Sequence, residues 1–271
     1  MNQLSLFGCL SLILSSMSSV AASDNTISVN QPHHTLSQTL HDDARQRDIP
    51  ITLYFPTGKM CQVSSPCKVA IFGAGYGIPS TDYSFLAQTV NSHNMLMVAI
   101  THELPTDPPL SREQPFLTTR MENWQRGADT TLFVRKKLTA QYPEFNFDAL
   151  TLMGHSNGGD IAALLANQQH SFIETVITYD HRRVPLPRTK NIQILSVRAS
   201  DYPADDNVLP SKTEQQQFGS CVVTIADARH NDMADHGPKW LTKAMSQLTA
   251  GFLNKQSCQT LTRNSLRLEH S

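Results

Sequence analysis

The chain has 271 residues and a formal net charge of −1 at pH 7. That length fits one large α/β domain. The near-neutral balance gives no electrostatic case for a nucleic-acid partner.

In chain order, residues 1–22 read as a secretory signal: Leu4 to Leu14 is an apolar core and Val20-Ala21-Ala22 is a small-residue cleavage pattern. The segment has no Lys or Arg beyond the start amine, and its apolar run is too short to span a membrane. Leu6-Phe7-Gly8-Cys9 loosely resembles a lipoprotein box, but Phe7 and the very early position oppose that reading. Cleavage after Ala22 leaves Cys61, Cys67, Cys221 and Cys258, an even set that predicts disulfides in an exported, periplasmic or secreted protein. Cys61 and Cys67 flank a short turn, Cys221 opens a β-like run, and Cys258 follows the last predicted helix. The favoured pairing is therefore 61–67 with 221–258.

Residues 23–45 form a polar N-terminal extension, 46–256 the main domain and 257–271 a C-terminal tail. Arg47 to Phe55 reads as a strand, with Pro50 suggesting an edge. Lys68 to Phe72 is a compact apolar strand ending in Gly73-Ala74-Gly75-Tyr76-Gly77. A helix is predicted over 82–93, a buried strand over 95–100, then a loop with Pro105, Pro108, Pro109 and Pro115. Residues 121–140 form a helix with Met121, Trp124, Ala128 and Leu132 on one face. Strands follow at 149–153, 175–179, 192–197 and 221–225, with helices at 160–166 and 238–253. Strands apolar throughout and alternating with helices mean a mostly parallel sheet covered on both faces. The short His181–Lys190 connection leaves no room for a large lid domain.

The stretch Gly154-His155-Ser156-Asn157-Gly158 joins a strand directly to a helix, the context of a nucleophile elbow. Its turn is so sharp that the residues two before and two after the serine must lack side chains, as Gly154 and Gly158 do. A serine hydroxyl needs a base within reach, and the base needs an orienting acid. His230 lies between the last strand and the last helix, where that base belongs, with His236 as the fallback. Asp180 ends one strand and Asp201 follows the next, and both are candidate acids. Asn157, the residue after the nucleophile, supplies one backbone N–H for an oxyanion.

These marks carry a resemblance. Gly154-His-Ser-Asn-Gly-Gly159, the Ala74-Gly75-Tyr76 turn, Tyr83-Ser84 and His230-Asn-Asp-Met-Ala-Asp235 resemble the α/β-hydrolase superfamily. The likeness is to the group around chlorophyllase, platelet-activating-factor acetylhydrolase and the cutinase-like polyesterases, and runs from about Lys68 to Asp235. It implies an α/β-hydrolase fold and ester hydrolysis through an acyl-enzyme. It also implies the Tyr76 N–H as second oxyanion donor. The chlorophyllase-like layout maps the acid to Asp180, the first choice here; the cutinase-like layout maps it to Asp201. The same machinery serves thioesterases, amidases and peptidases, and a low-turnover binding protein on this fold is a further alternative.

No metal spacing or dinucleotide fingerprint is present, so no cofactor is expected. The expected partner is a small-molecule or lipid-like ester. His102-Glu103 follows a strand tip near the site. A face bearing His181, Arg182, Arg183 and Arg198 is a candidate surface for anionic substrates, or simply a solvated one.

Overall fold

Six apolar runs become parallel strands, the interior ones buried on both faces. They are β3 (Cys67–Gly73), β4 (Leu96–Ile100), β5 (Phe145–His155), β6 (Ile173–Tyr179), β7 (Gln193–Arg198) and β8 (Cys221–Thr224). The computed structural model describes Met1 and residues 34–268. The chain divides into two units, Met1–Asn30 and Gln31–Ser271, and the sheet lies in the second. The signal and lipoprotein-box readings lie outside the described residues. Two further strands, β1 (Thr35–Asp42) and β2 (Arg47–Tyr54), pair antiparallel and complete an eight-stranded sheet of order β1-β2-β4-β3-β5-β6-β7-β8.

Strand alternation sorts side chains to two cores. Val69 and Ile71 of β3 and Leu96, Val98 and Ile100 of β4 face one layer. There they join Trp124, Val134 and Leu138 of α3 (Met121–Gln141) and Ile161 and Leu165 of α4 (Asn157–Asn167). Ala70, Phe72, Met97 and Ala99 face the other layer. That layer is built with Leu86 and Val90 of α1 (Ser84–Ser92) and Leu241, Met245 and Leu248 of α6 (Lys239–Leu253). Residues 181–192 between β6 and β7 contain neither helix nor strand, so no lid domain is inserted there.

The structure departs from the sequence reading at the margins. The polar extension contains β1, which pairs with β2 along its whole length although only Leu40 and Asp42 of it are buried. A strand held by its ladder leaves little apolar pattern to read. With β1 on one side and β4 on the other, β2 is an interior strand despite Pro50. In an antiparallel pair a residue's N and C=O point to the same neighbour. The Pro50 carbonyl accepts from Thr101 just past the end of β4, so its missing N–H falls where no strand partner exists. Three helices were not anticipated: α2 (Phe116–Thr119), α5 (Lys212–Phe218) and α7 (Cys258–Leu268). The α5 helix buries no side chain and therefore shows no apolar period, yet it carries a reciprocal Ser211–Glu214 capping box and Gly219 at φ 75°.

The four cysteines pair as expected, Cys61 with Cys67 and Cys221 with Cys258, at Cα–Cα distances of 5.3 and 5.4 Å. The second bridge spans 37 residues and ties α7 to β8. Closing a loop of that length restricts the unfolded chain by about 4 kcal/mol in the chain-entropy account. Replacing both Cys221 and Cys258 by Ala is expected to lower unfolding free energy by an amount of that order in urea titrations. A change below about 1 kcal/mol would show that the bridge contributes little.

Candidate active site

The elbow is built by close backbone approach. A Cβ on Gly154 would lie 2.3 Å from the Gly158 carbonyl group, and one on Gly158 would lie 2.1 Å from the Gly73 oxygen. Between them Ser156 takes φ 51° and ψ −118°, a strained setting for a residue with a side chain. The Ser156 N–H is held by the Tyr179 carbonyl at 2.9 Å, and α4 begins at the next residue.

Three side chains from three segments meet here. The Ser156 hydroxyl lies 3.0 Å from His230 Nε2, and His230 Nδ1 lies 2.5 Å from Asp180 Oδ2. His230 sits on a short 3-10 turn, His230–Asp232, after β8. Asp180 directly follows β6 with φ 48°, and its side chain is fully buried. Its other oxygen forms an ion pair with buried Arg198 at 2.7 Å and accepts the Ala199 N–H at 3.1 Å. Burial pushes the Asp180 carboxyl up, but the His230 hydrogen bond and the Arg198 charge outweigh it, and the group lies below the usual carboxylate range.

Asp201 is close by but takes another part. Both its oxygens accept the backbone N–H of His230, each at 3.0 Å, so it fixes the loop rather than the ring. His236 bonds the Asn231 carbonyl on the surface, outside the Ser156–His230–Asp180 chain.

The two expected oxyanion donors follow the elbow serine and the first strand of the core. Asn157 is the first residue of α4, and Tyr76 follows the Gly73–Gly75 turn beyond β3. Among the described residues neither N–H has a protein acceptor. The Asn157 side chain is held on three sides. It accepts from Trp124 Nε1 at 2.8 Å and donates to Glu103 at 2.8 Å and Asn123 at 2.9 Å. Glu103 thus belongs to the support of the elbow, a role that position beside a strand tip only hinted at. Trp124 was legible as a core residue, but its indole hydrogen bond was not. Tyr83 joins the two halves of the site: its hydroxyl accepts the Gly75 N–H at 3.1 Å and is hydrogen-bonded to His155 Nδ1 at 2.8 Å. Asp235 reaches back to cap α1, accepting the Ser84 N–H at 2.9 Å, which ties the His230 loop to that helix. The Tyr76 ring is largely exposed and its hydroxyl accepts the Leu110 N–H at 3.1 Å, tethering the Pro-rich loop.

The expected cationic face is partly corrected. His181 and Arg198 are buried, the latter consumed by Asp180, while Arg182 and Arg183 remain partly exposed.

Comparison with solved structures places this architecture. A ferulic acid esterase from Streptomyces cinnamoneus superposes with a TM-score of 0.61 at 15% identity, over 88% of this chain and 92% of that one. A hyperthermophilic esterase from Pyrobaculum calidifontis gives 0.59 at 12% identity, over 84% and 85% of the two chains. Dienelactone hydrolase from Anabaena variabilis gives 0.54 at 14% identity, over 83% and 99%. No family model matches the sequence, and no curated protein matches it at the sequence level. The chain has the α/β-hydrolase fold. Its structural neighbours include esterases, a dienelactone hydrolase and peptidases.

The buried groups around the site set an acid limit. Burial is the main cause that pushes His102, His155 and His181 each down to about 3, helped by the charges of Arg47, His230 and Arg198 respectively. Each stays neutral in the fold while the unfolded chain takes up a proton below about 6.5. The stability they contribute is complete above that pH and is lost as pH falls toward 3. Asp160 has the opposite sign. Burial pushes it up to about 6, so it takes its proton first in the fold and offsets one histidine between about 6 and 3.8. A net of two histidines remains, about 2–3 kcal/mol per pH unit at the steepest. Melting temperature should therefore fall steadily below about pH 6.5; a flat profile down to pH 4.5 would contradict this assignment of neutral histidines.

Proposed function

We propose that this protein is an exported serine hydrolase that cleaves carboxylic esters. The observation that carries the reading is the hydrogen-bonded chain from Ser156 through His230 to Asp180 on a strained elbow. In this mechanism Ser156 Oγ attacks the acyl carbon while His230 Nε2 accepts its proton. Asp180 holds the ring tautomer through Nδ1 and stabilises the imidazolium. The N–H groups of Asn157 and Tyr76 receive the developing oxyanion. His230 then protonates the departing alcohol, leaving an acyl-serine. Water, deprotonated by His230, attacks that ester, and Ser156 leaves with the proton returned.

The ester preference draws support from the structural neighbours, several of which are esterases. Export draws support from the two disulfides, since such bridges persist in oxidising compartments. No described helix is long and apolar enough to cross a membrane. The narrower likeness to chlorophyllase and platelet-activating-factor acetylhydrolase rests on the sequence motifs together with Asp180 at the end of β6. A fluorophosphonate probe tests the proposal. One adduct on the folded protein, mapped to the peptide containing Ser156, is expected, with turnover of 4-nitrophenyl esters of graded acyl length. Folded protein that neither labels nor turns over any of these esters would refute it.

A further inference from the structure

We propose that Arg120, Arg182 and Arg183 form a binding site for a carboxylate carried by the substrate, so that the preferred esters are anionic. The substrate class rests on the ester-hydrolase reading above; the anion site itself does not.

The three guanidiniums come from two segments that converge on the elbow. Arg182 Nε lies 4.0 Å from Asp180 Oδ2, the oxygen that holds His230. The N–H of Arg183 and that of Val184 both bind Asp160 Oδ1, at 2.8 and 2.9 Å, and the Asp160 N–H binds the Ser156 carbonyl. Arg120 precedes α3 by one residue and its carbonyl accepts the N–H of Trp124, whose indole holds Asn157. All three are thus anchored within one or two bonds of the candidate catalytic groups.

Their arrangement is organised by aromatic rings. The Arg120 and Arg183 guanidiniums both lie over the Phe116 ring, at 4.4 and 4.3 Å from its centroid, and Arg182 lies 5.3 Å from the centroid of exposed Tyr202. Stacking on a ring fixes the plane of a guanidinium and leaves its N–H edges open to a planar acceptor. The carboxylates near the cluster are already engaged, Asp160 by the backbone N–H groups of Arg183 and Val184. Arg183 pairs with Asp205. Asp180 already serves His230 and Arg198. Arg120 has its Nε on the Ser111 carbonyl, and among the described residues no carboxylate lies within ion-pair distance of it. Burial, then the charge of Arg183, push Arg120 below the ordinary guanidinium range, a sign of how close the cations stand. Among the described residues the terminal nitrogens of Arg120 and Arg182 make no hydrogen bond, and with the Phe116 and Tyr202 rings against the cluster they suit an apolar chain or ring that ends in a carboxylate.

The test uses two substrate pairs. Mono-4-nitrophenyl glutarate against its methyl ester places the charge on the acyl side. 4-Acetoxybenzoate against methyl 4-acetoxybenzoate places it on the alcohol side. The full-length protein should prefer the anionic member of one pair by about tenfold or more in kcat/KM, mainly through KM, and the pair that responds assigns the side. Arg120→Gln and Arg182→Gln should each lower that anionic-to-neutral ratio by about tenfold, with thermal melts to verify folding, and Arg120→Lys should retain part of it. If a Gln variant does not fold, Arg183→Gln takes its place. Calorimetry with 5-oxohexanoate, the ketone counterpart of a glutarate ester, reads the site without turnover; saturable binding weakened by the same variants is expected. No preference in either pair, or a ratio that both variants leave unchanged, would overturn the proposal. So would an absence of binding up to millimolar ligand. Binding that persists in a protein that neither labels at Ser156 nor hydrolyses esters would retain the anion site and dispose of the hydrolase reading instead.

Discussion

Ser156→Ala should abolish fluorophosphonate labelling and lower ester turnover by about 10⁵–10⁶-fold, because without the hydroxyl no acyl-enzyme can form. The residual rate would come from the oxyanion donors and from binding alone. The fold should survive the change. Ser156 is only partly buried, its N–H bond to Tyr179 is a backbone bond, and alanine meets the same constraint at φ 51°. Loss of activity with an unchanged melting temperature is therefore the expected pair of observations. Undiminished labelling of the variant would mean that another residue is acylated.

The elbow was legible because its demands are local. Two glycines, a strand before and a helix after are all written within about a dozen residues, and the contacts at Gly154 and Gly158 give the physical reason for each glycine. His230 stood out as a candidate by position, on the loop after the last strand, and the structure sets its Nε2 3.0 Å from the Ser156 hydroxyl. The sheet was legible for the same reason as its core: β3 through β8 are apolar and bounded by turns. What escaped is what depends on distant partners. The strand β1 is specified by β2 rather than by its own apolar pattern. Arg198 looked like a surface cation and proved to be the buried counter-charge of Asp180, a pairing between residues 18 apart at the ends of neighbouring strands. Arg120 sat in the approach to a helix with nothing to announce its proximity to Arg182 and Arg183. The Asn157 bonds to Trp124, Asn123 and Glu103 join three segments that no spacing rule connects.

The two candidate acids differ in what they hold, and that difference yields the second large expected effect. Asp180→Asn should lower kcat by about 10³–10⁴-fold. An amide at that position no longer stabilises the imidazolium, and it can donate to Nδ1, which places the ring proton on the nitrogen that must receive one from Ser156. Asp201→Asn should cost far less, because its task is to accept the His230 backbone N–H and the amide retains one acceptor oxygen. Stability confounds the first variant. Removing the charge of Asp180 leaves Arg198, 4% exposed, without its counter-charge, and an orphaned buried charge destabilises by about 3–5 kcal/mol. The double variant Asp180→Asn with Arg198→Gln separates the two effects, since it removes both charges and should recover much of the melting temperature without recovering activity. A folded Asp180→Asn protein with near-normal turnover, beside an inactive but folded Asp201→Asn, would transfer the role of acid to Asp201. Recovery of activity in the double variant would assign the whole effect to stability and leave His230 without a required carboxylate.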